Sequence, residues 1–422
     1  MKLGKPLHRI GPGILVAATG VGAGDLAAAS LAGAALGLTV LWAVLLGAFV
    51  KFVLNEGITR WQLAAGTTLV EGCVERLGRP VLWIFLVYLA VWSFLVAAAL
   101  MSAAGVTMHA IFPLAGTGPV AAATDKILYG IVHSLLAVAL VKLGGFRLFE
   151  TVMGVAIAVM FVTVVATAVA MRPPLGELVS GLMLPIIPPG GASWTVALMG
   201  GVGGTVTVLC YGYWIREEGR EGIGELSLCR LDLAVGYAMT AIFGVAMVII
   251  GSSLGLMEGG GATLVVKIAG QLESVFGSAG PLAKWAFLAG AWGAVFSSML
   301  GVWQSVPYLF ADLWRLMHGG CGRNMKVDTA LLPYQAYLYA IATVPILGLV
   351  AFNFQSMQKV YAVVGALFIP MLAAALLVLN DRADWIGERN ENSRWTVALL
   401  IAALVFFVLV GAIEIRDSLF PR

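Results

Sequence analysis

Residues 80–112 contain no Asp, Glu, Lys or Arg. An apolar run of that length suits lipid better than a soluble core. About 20 apolar residues in a helix cross the hydrocarbon of a bilayer, and a helix satisfies its backbone donors and acceptors internally. Comparable runs recur along the chain. Hydrophobic residues make up 60% of the sequence and charged ones 11%, against roughly 25% charged in soluble domains. The 422 residues therefore read as one all-α polytopic membrane domain, with no separate soluble domain.

Charge, proline and glycine punctuation predicts eleven spans, at residues 10–37, 38–62, 80–112, 127–141, 149–171, 194–215, 231–257, 282–310, 331–352, 360–379 and 395–413. The basic start of the chain lacks a small-residue cleavage site, so the first span is expected to be retained. Of the 25 Lys and Arg, seventeen fall on the side of the N-terminus and seven on the other, with Lys51 inside span two. The positive-inside rule then places the N-terminus in the cytoplasm of a cell whose inner membrane holds the chain. Cys73, Cys210, Cys229 and Cys321 show neither CxxC nor Cys/His ligand spacing, so neither zinc nor a disulfide framework is expected. The basic residues sit in short loops, which gives no reason to expect a nucleic-acid partner.

Two spans carry a matching peculiarity. Span one contains Thr19-Gly20-Val21-Gly22-Ala23-Gly24-Asp25, and span six contains Gly200-Gly201-Val202-Gly203-Gly204-Thr205-Val206-Thr207. An acid within a span is costly unless it faces a polar cavity or a cation. Spans one and six are five apart and run in opposite directions. Residues 10–171 and 194–379 are thus expected to be inverted repeats, with 395–413 an extra helix and a midplane binding site where the two interrupted spans meet. The competing reading is that the glycines only let helices approach closely.

Further stretches have a recognisable pattern. Gly11-Pro12 opens the first span, and Val40-Leu41-Trp42 leads without a gap to Leu63-Ala64-Ala65-Gly66-Thr67-Thr68-Leu69-Val70-Glu71. Ser297-Ser298 lies in span eight and Gln358 at the mouth of span ten. In these features, and over nearly its whole length, the chain resembles the Nramp family of divalent-metal transporters. They match that family's GP opening of helix one and its LG(x)xTG(x)xLxE ending of helix two. The resemblance implies a LeuT-type fold of two inverted five-helix repeats plus an eleventh helix, with helices one and six broken.

The site motifs depart from that family. Counted back from span two, its DPGN falls on Gly22-Ala23-Gly24-Asp25, so its metal-binding Asp is Gly22 here and its Asn is Asp25. Residues three apart share a helical face, so Asp25 is expected to serve the same cavity. In span six the family's metal-binding Met is Thr207. A hydroxyl in place of a thioether favours a hard ion, Mn²⁺ or Mg²⁺. The expected site combines the Asp25 charge, carbonyls near Thr19, Gly22 and Gly204, the Thr207 hydroxyl and the Gln358 amide. Hydroxyls bonded to their own helix are the alternative for Thr19 and Thr207. Span three lacks the acids, and residues 211–214 the histidines, of the family's proton route. Proton coupling is accordingly not expected.

Other polar residues read as structural. Glu56 and Arg60, at i,i+4 spacing, form either an ion pair at the mouth of span two, beside a snorkelling Lys51, or a gate. Residues 216–221 form a solvated loop or a gate network, and Asp312 with Arg315 a structural pair. His109 and His133, in spans three and four, are expected to be packing or interface residues away from the pore, a substitute proton relay being the alternative. With one strong intramembrane acid, catalysis is not expected. The chain is expected to act as a monomer in the bilayer with a divalent metal as substrate and no resident cofactor. The alternative is a LeuT-type carrier of a small organic solute such as an amino acid or amine.

Overall fold

The computed structural model describes residues 11–254, 261–320 and 328–419, and its secondary structure is helical. Span one comprises α1 (Gly11–Gly20), a π-helical stretch (Val21–Ala28) and α2 (Ala29–Leu36). A 3-10 turn leads into α3 (Leu41–Ala65), followed by the short α4 (Leu69–Leu77), then α5 (Arg79–Ile111) and α6 (Pro119–Ala170). After α7 (Leu175–Met183), span six is divided into α8 (Ala192–Gly201) and α9 (Cys210–Glu217). Then come α10 (Leu226–Ser252), α11 (Gly261–Val275), α12 (Gly280–Met317), α13 (Leu332–Thr343) and α14 (Ile346–Ala351). The chain continues through α15 (Phe354–Ala366), α16 (Phe368–Leu379), α17 (Ala383–Ile386) and α18 (Arg394–Leu419).

Local chemistry sets several ends. Gly66, in the left-handed region at φ 73°, terminates α3. Thr68 and Glu71 then form a reciprocal capping box that starts α4. Asn353 caps α15 by accepting from the Ser356 N–H at 2.8 Å. Eight helices among the described residues are long and apolar enough to cross a membrane, and 158–170 and 394–410 are shorter apolar helices.

Three departures from the expected spans have simple causes. The boundary between spans four and five is helical, within α6. Its Gly144-Gly145 pair costs only about 1 kcal/mol per residue relative to alanine, and no proline is present to remove a hydrogen bond. The connection at 173–191 contains α7, entered through Pro174 with Glu177 in its first turn, where a carboxylate favours the helix dipole. A further helix, α11, lies between spans seven and eight, where none was expected.

The first span is enclosed by α8, α10 and α12. Its packing on α10 depends on glycine. A Cβ on Gly33 would stand 2.3 Å from the Val248 carbonyl oxygen, and one on Gly251 2.1 Å from that of Ser30. Near the other end Gly13 meets Asp232 and Gly236. Contacts that advance together along both segments make α1–α2 and α10 run parallel. The interrupted first span is thereby held next to α8.

Candidate functional site

The division of span six is a true unwinding. Gly203 and Gly204 lie at φ 74° and 81°, a region that glycine enters at little cost. Helix α8 stops at Gly201, and helical turns resume only at Val206. Span one responds differently. Its glycines remain in the wide turns of the π-helical stretch, and Asp25 sits within it, fully buried. Small residues permit a break without imposing one, so the interruption there is a change of helical pitch.

The unwound backbone is held from both sides. The Gly203 N–H donates to Asp25 Oδ1 at 3.1 Å. Lys51 Nζ, from α3, donates to the carbonyl of Gly200 at 2.7 Å and to those of Val202 and Gly204. An ammonium has three protons, so these three oxygens saturate it. The carboxyl-terminal end of α8 adds a negative dipole. Asp25 and Lys51 each lie in the other's field.

Lys51 does not snorkel to the interface as expected. It is 2% exposed and sits near the midpoint of α3, beyond the reach of a four-carbon stem to either interface. The Gly204 carbonyl is correspondingly directed at an ammonium of the chain itself. One turn on, Asn55 Nδ2 donates to the Tyr237 hydroxyl at 3.2 Å, and the Tyr237 ring packs beside Gly203.

The other expected site residues divide. Thr19 donates to the carbonyl of Val16 at 2.8 Å, which is the local helix bond that competes with a ligand role. Both the Thr19 and Thr207 hydroxyls stand beside Gly204. Gln358 lies inside the protein, not at a mouth. It is fully buried, and its Nε2 donates to the Ala99 carbonyl of α5 at 2.9 Å. Among the expected site residues, Asp25 Oδ2 and Gln358 Oε1 have no hydrogen-bond partner among the described residues; the buried Asn55 Oδ1 and Thr205 Oγ1 nearby are likewise unpartnered there. Helix α15, which carries Gln358, packs on the π-helical stretch that carries Asp25. The contacts of Gly22 lie outside the described residues. Among the described residues, no three His, Cys, Asp or Glu side chains cluster as a metal site.

Three charged networks tie together the end of the molecule at which span one begins. Glu56 pairs with Arg60 at 3.4 Å, and its Oε1 also accepts from Arg230 Nη2 and Nε at 2.7 and 3.0 Å. Arg60 donates onward to the Asn390 and Glu391 carbonyls and to Asn392 Oδ1. Asp312 and Glu71 both accept from Arg315, and Asp312 Oδ2 also accepts from Tyr213 and Thr68. The third network centres on Asp232, which the sequence reading did not single out. Its Oδ1 accepts from the Gly13 N–H at 2.9 Å, and its Oδ2 from Tyr211 at 2.9 Å and Arg220 at 3.0 Å.

Arg220 is therefore buried on Asp232, whereas a solvated loop was one of the two expectations for its segment. Burial disfavours its charge, but the Asp232 carboxylate outweighs that and holds the guanidinium above its usual range. A cavity of about 410 Å³ opens beside it, lined by Gln62, Gly66, Arg216, Arg220 and Glu221 among others. His109 and His133 both have polar partners. His109 bonds Asp125 at 2.7 Å, and His133 lies between the Tyr129 carbonyl and the Trp292 indole.

Residues 13–415 match the family described as "Natural resistance-associated macrophage protein-like". The divalent metal cation transporter MntH of Chromohalobacter salexigens is 26% identical over 245 residues, which are 56% of this chain and 54% of that protein. The chain thus spans about half the length of the curated relative it matches. A mutant of the manganese transporter of Eremococcus coleocola superposes with a TM-score of 0.72 at 15% identity, covering 100% of this chain and 91% of that one. MhsT in complex with L-phenylalanine gives 0.62 at 16% identity, covering 95% and 97%. These neighbours have the LeuT-type fold.

Proposed function

The chain belongs to the Nramp family, and from that premise we propose that it carries a divalent metal cation across the inner membrane by alternating access. The observation that carries this reading is Asp25. A fully buried carboxylate whose Oδ2 lacks a partner among the described residues is stabilised by a cation arriving beside it. Gln358 Oε1 supplies a second unpartnered oxygen on a neighbouring helix. An acid with amide and hydroxyl oxygens, and no sulfur or imidazole, favours Mn²⁺ or Mg²⁺ that keeps part of its water. The relatives named for manganese and for divalent metal support the same class. The N-terminus lies in the cytoplasm and the protein works as a monomer, with the charged networks closing the cytoplasmic end.

Uptake of Mn²⁺ and Mg²⁺ into proteoliposomes tests this. Asp25→Ala is expected to reduce uptake to that of protein-free liposomes while the protein still elutes as a single species. Undiminished uptake by that variant rejects the site. Metal entry is also expected without stoichiometric protons, because residues 80–112 offer no carboxylate for a relay. A pH-sensitive dye inside the vesicles reports the opposite outcome directly.

A specific observation supports a second reading, a carrier of a small organic solute. Lys51 already occupies the carbonyls of the break. At about 4 Å and an effective dielectric constant of about 20, a divalent ion and an ammonium repel by about 8 kcal/mol. Titration calorimetry against amino acids and amines separates the two readings. Heat from an organic solute, with none from metal, favours the carrier of organic solutes.

A further inference from the structure

The carbonyls of Gly200, Val202 and Gly204 converge on one point because Gly203 and Gly204 take left-handed conformations. Three backbone oxygens at the negative end of a helix make a cation cage. The cage is lined by backbone, so its shape does not depend on any side chain of span six. Its occupant is covalently part of the chain, since the Lys51 ammonium fills it with all three protons engaged.

We propose that this cage is a monovalent-cation site that Lys51 keeps permanently occupied, and that removing the Lys51 side chain opens it to an ammonium or alkali-metal ion. Lys51 is then a specificity-determining residue. It excludes exogenous cations from the carbonyls, confines the cargo to the oxygens of Asp25 and its neighbours, and replaces the small ion that would otherwise hold the break in shape. Divalent ions fit the cage less well. The cage itself offers three neutral oxygens, and Asp25 already gives its Oδ1 to the Gly203 N–H. This inference rests on the position of Lys51 and not on the identity of the cargo.

The test is thermal unfolding of the full chain in detergent, which needs no transport. Unfolding of the wild type is expected to be the same in sodium, potassium, ammonium and N-methylglucamine chlorides at equal ionic strength. Lys51→Met is expected to melt several degrees lower in N-methylglucamine, and to recover most of that loss in millimolar ammonium, sodium or potassium. Lys51→Gln keeps two donors without the charge and is expected to show a smaller loss and a weaker recovery. Specific stabilisation of the wild type by a small monovalent cation overturns the proposal, even if neither variant folds. Variants that fold but show no preference among the four salts also overturn it. Loss of metal uptake by Asp25→Ala bears on the proposed function, and this pattern of melting temperatures stands or falls separately from it.

Discussion

Two glycine-rich stretches of similar composition end in different structures. In span one, glycines alternate with Val21 and Ala23, and the backbone remains helical with wide turns. In span six, glycines are paired on either side of Val202, and residues 202–205 leave the helix altogether. Glycine count alone does not separate the two. The surroundings differ in that Lys51 takes up three carbonyls that a helix would otherwise have to satisfy. An unwound segment in lipid survives only where buried groups replace its lost hydrogen bonds. The ammonium does this for span six, and Asp25 takes the freed N–H of Gly203. The acid of one interruption and the backbone of the other therefore form a single unit.

Several substitutions can break or sharpen this contrast. The largest stability effect is expected from Asp232→Asn. Asp232 joins the start of span one, through Gly13, to the second half of span six, through Tyr211, and neutralises the buried Arg220. Removing the carboxylate of a buried ion pair costs on the order of 3 kcal/mol or more, visible as a fall in melting temperature. An unchanged melting temperature would mean that the two spans are not held through this carboxylate.

Gly204→Ala is expected to cost about 1–3 kcal/mol. Its φ is 81°, and a Cβ there would stand 2.7 Å from Thr207 Oγ1. Denaturation that shows alanine tolerated as well as at an ordinary helical position would erase the distinction between the two interruptions. Arg230→Ala should have the smallest effect, below about 1 kcal/mol, because Arg230 is half exposed and its bond to Glu56 is screened. Glu56 keeps Arg60 in that variant. A loss as large as that of Asp232→Asn would move the main lock from span one to span two.

The expected ion pair of Glu56 with Arg60 followed from their i,i+4 spacing and is present, whereas the Asp125 partner of His109 and the Trp292 partner of His133 come from other helices and have no local signal. For Lys51, depth in the span outweighs the length of its stem. A lysine ten residues into a 25-residue helix is too deep to reach water, and this was available in the sequence. Its three acceptors were not, since they depend on how α8 ends. Asp232 was equally inaccessible. Its donors come from residues 13, 211 and 220, and no local pattern announces that meeting.

The sequence alone determined that this chain is a helical membrane protein, where its interruptions fall and which family it resembles, because hydrophobic runs and glycine clusters act locally and the motif of span two is contiguous. Tertiary structure decided which interruption unwinds, what occupies the freed carbonyls and which oxygens of Asp25 and Gln358 remain without partners among the described residues. Those outcomes depend on side chains brought from distant helices to satisfy backbone groups that have no water to turn to.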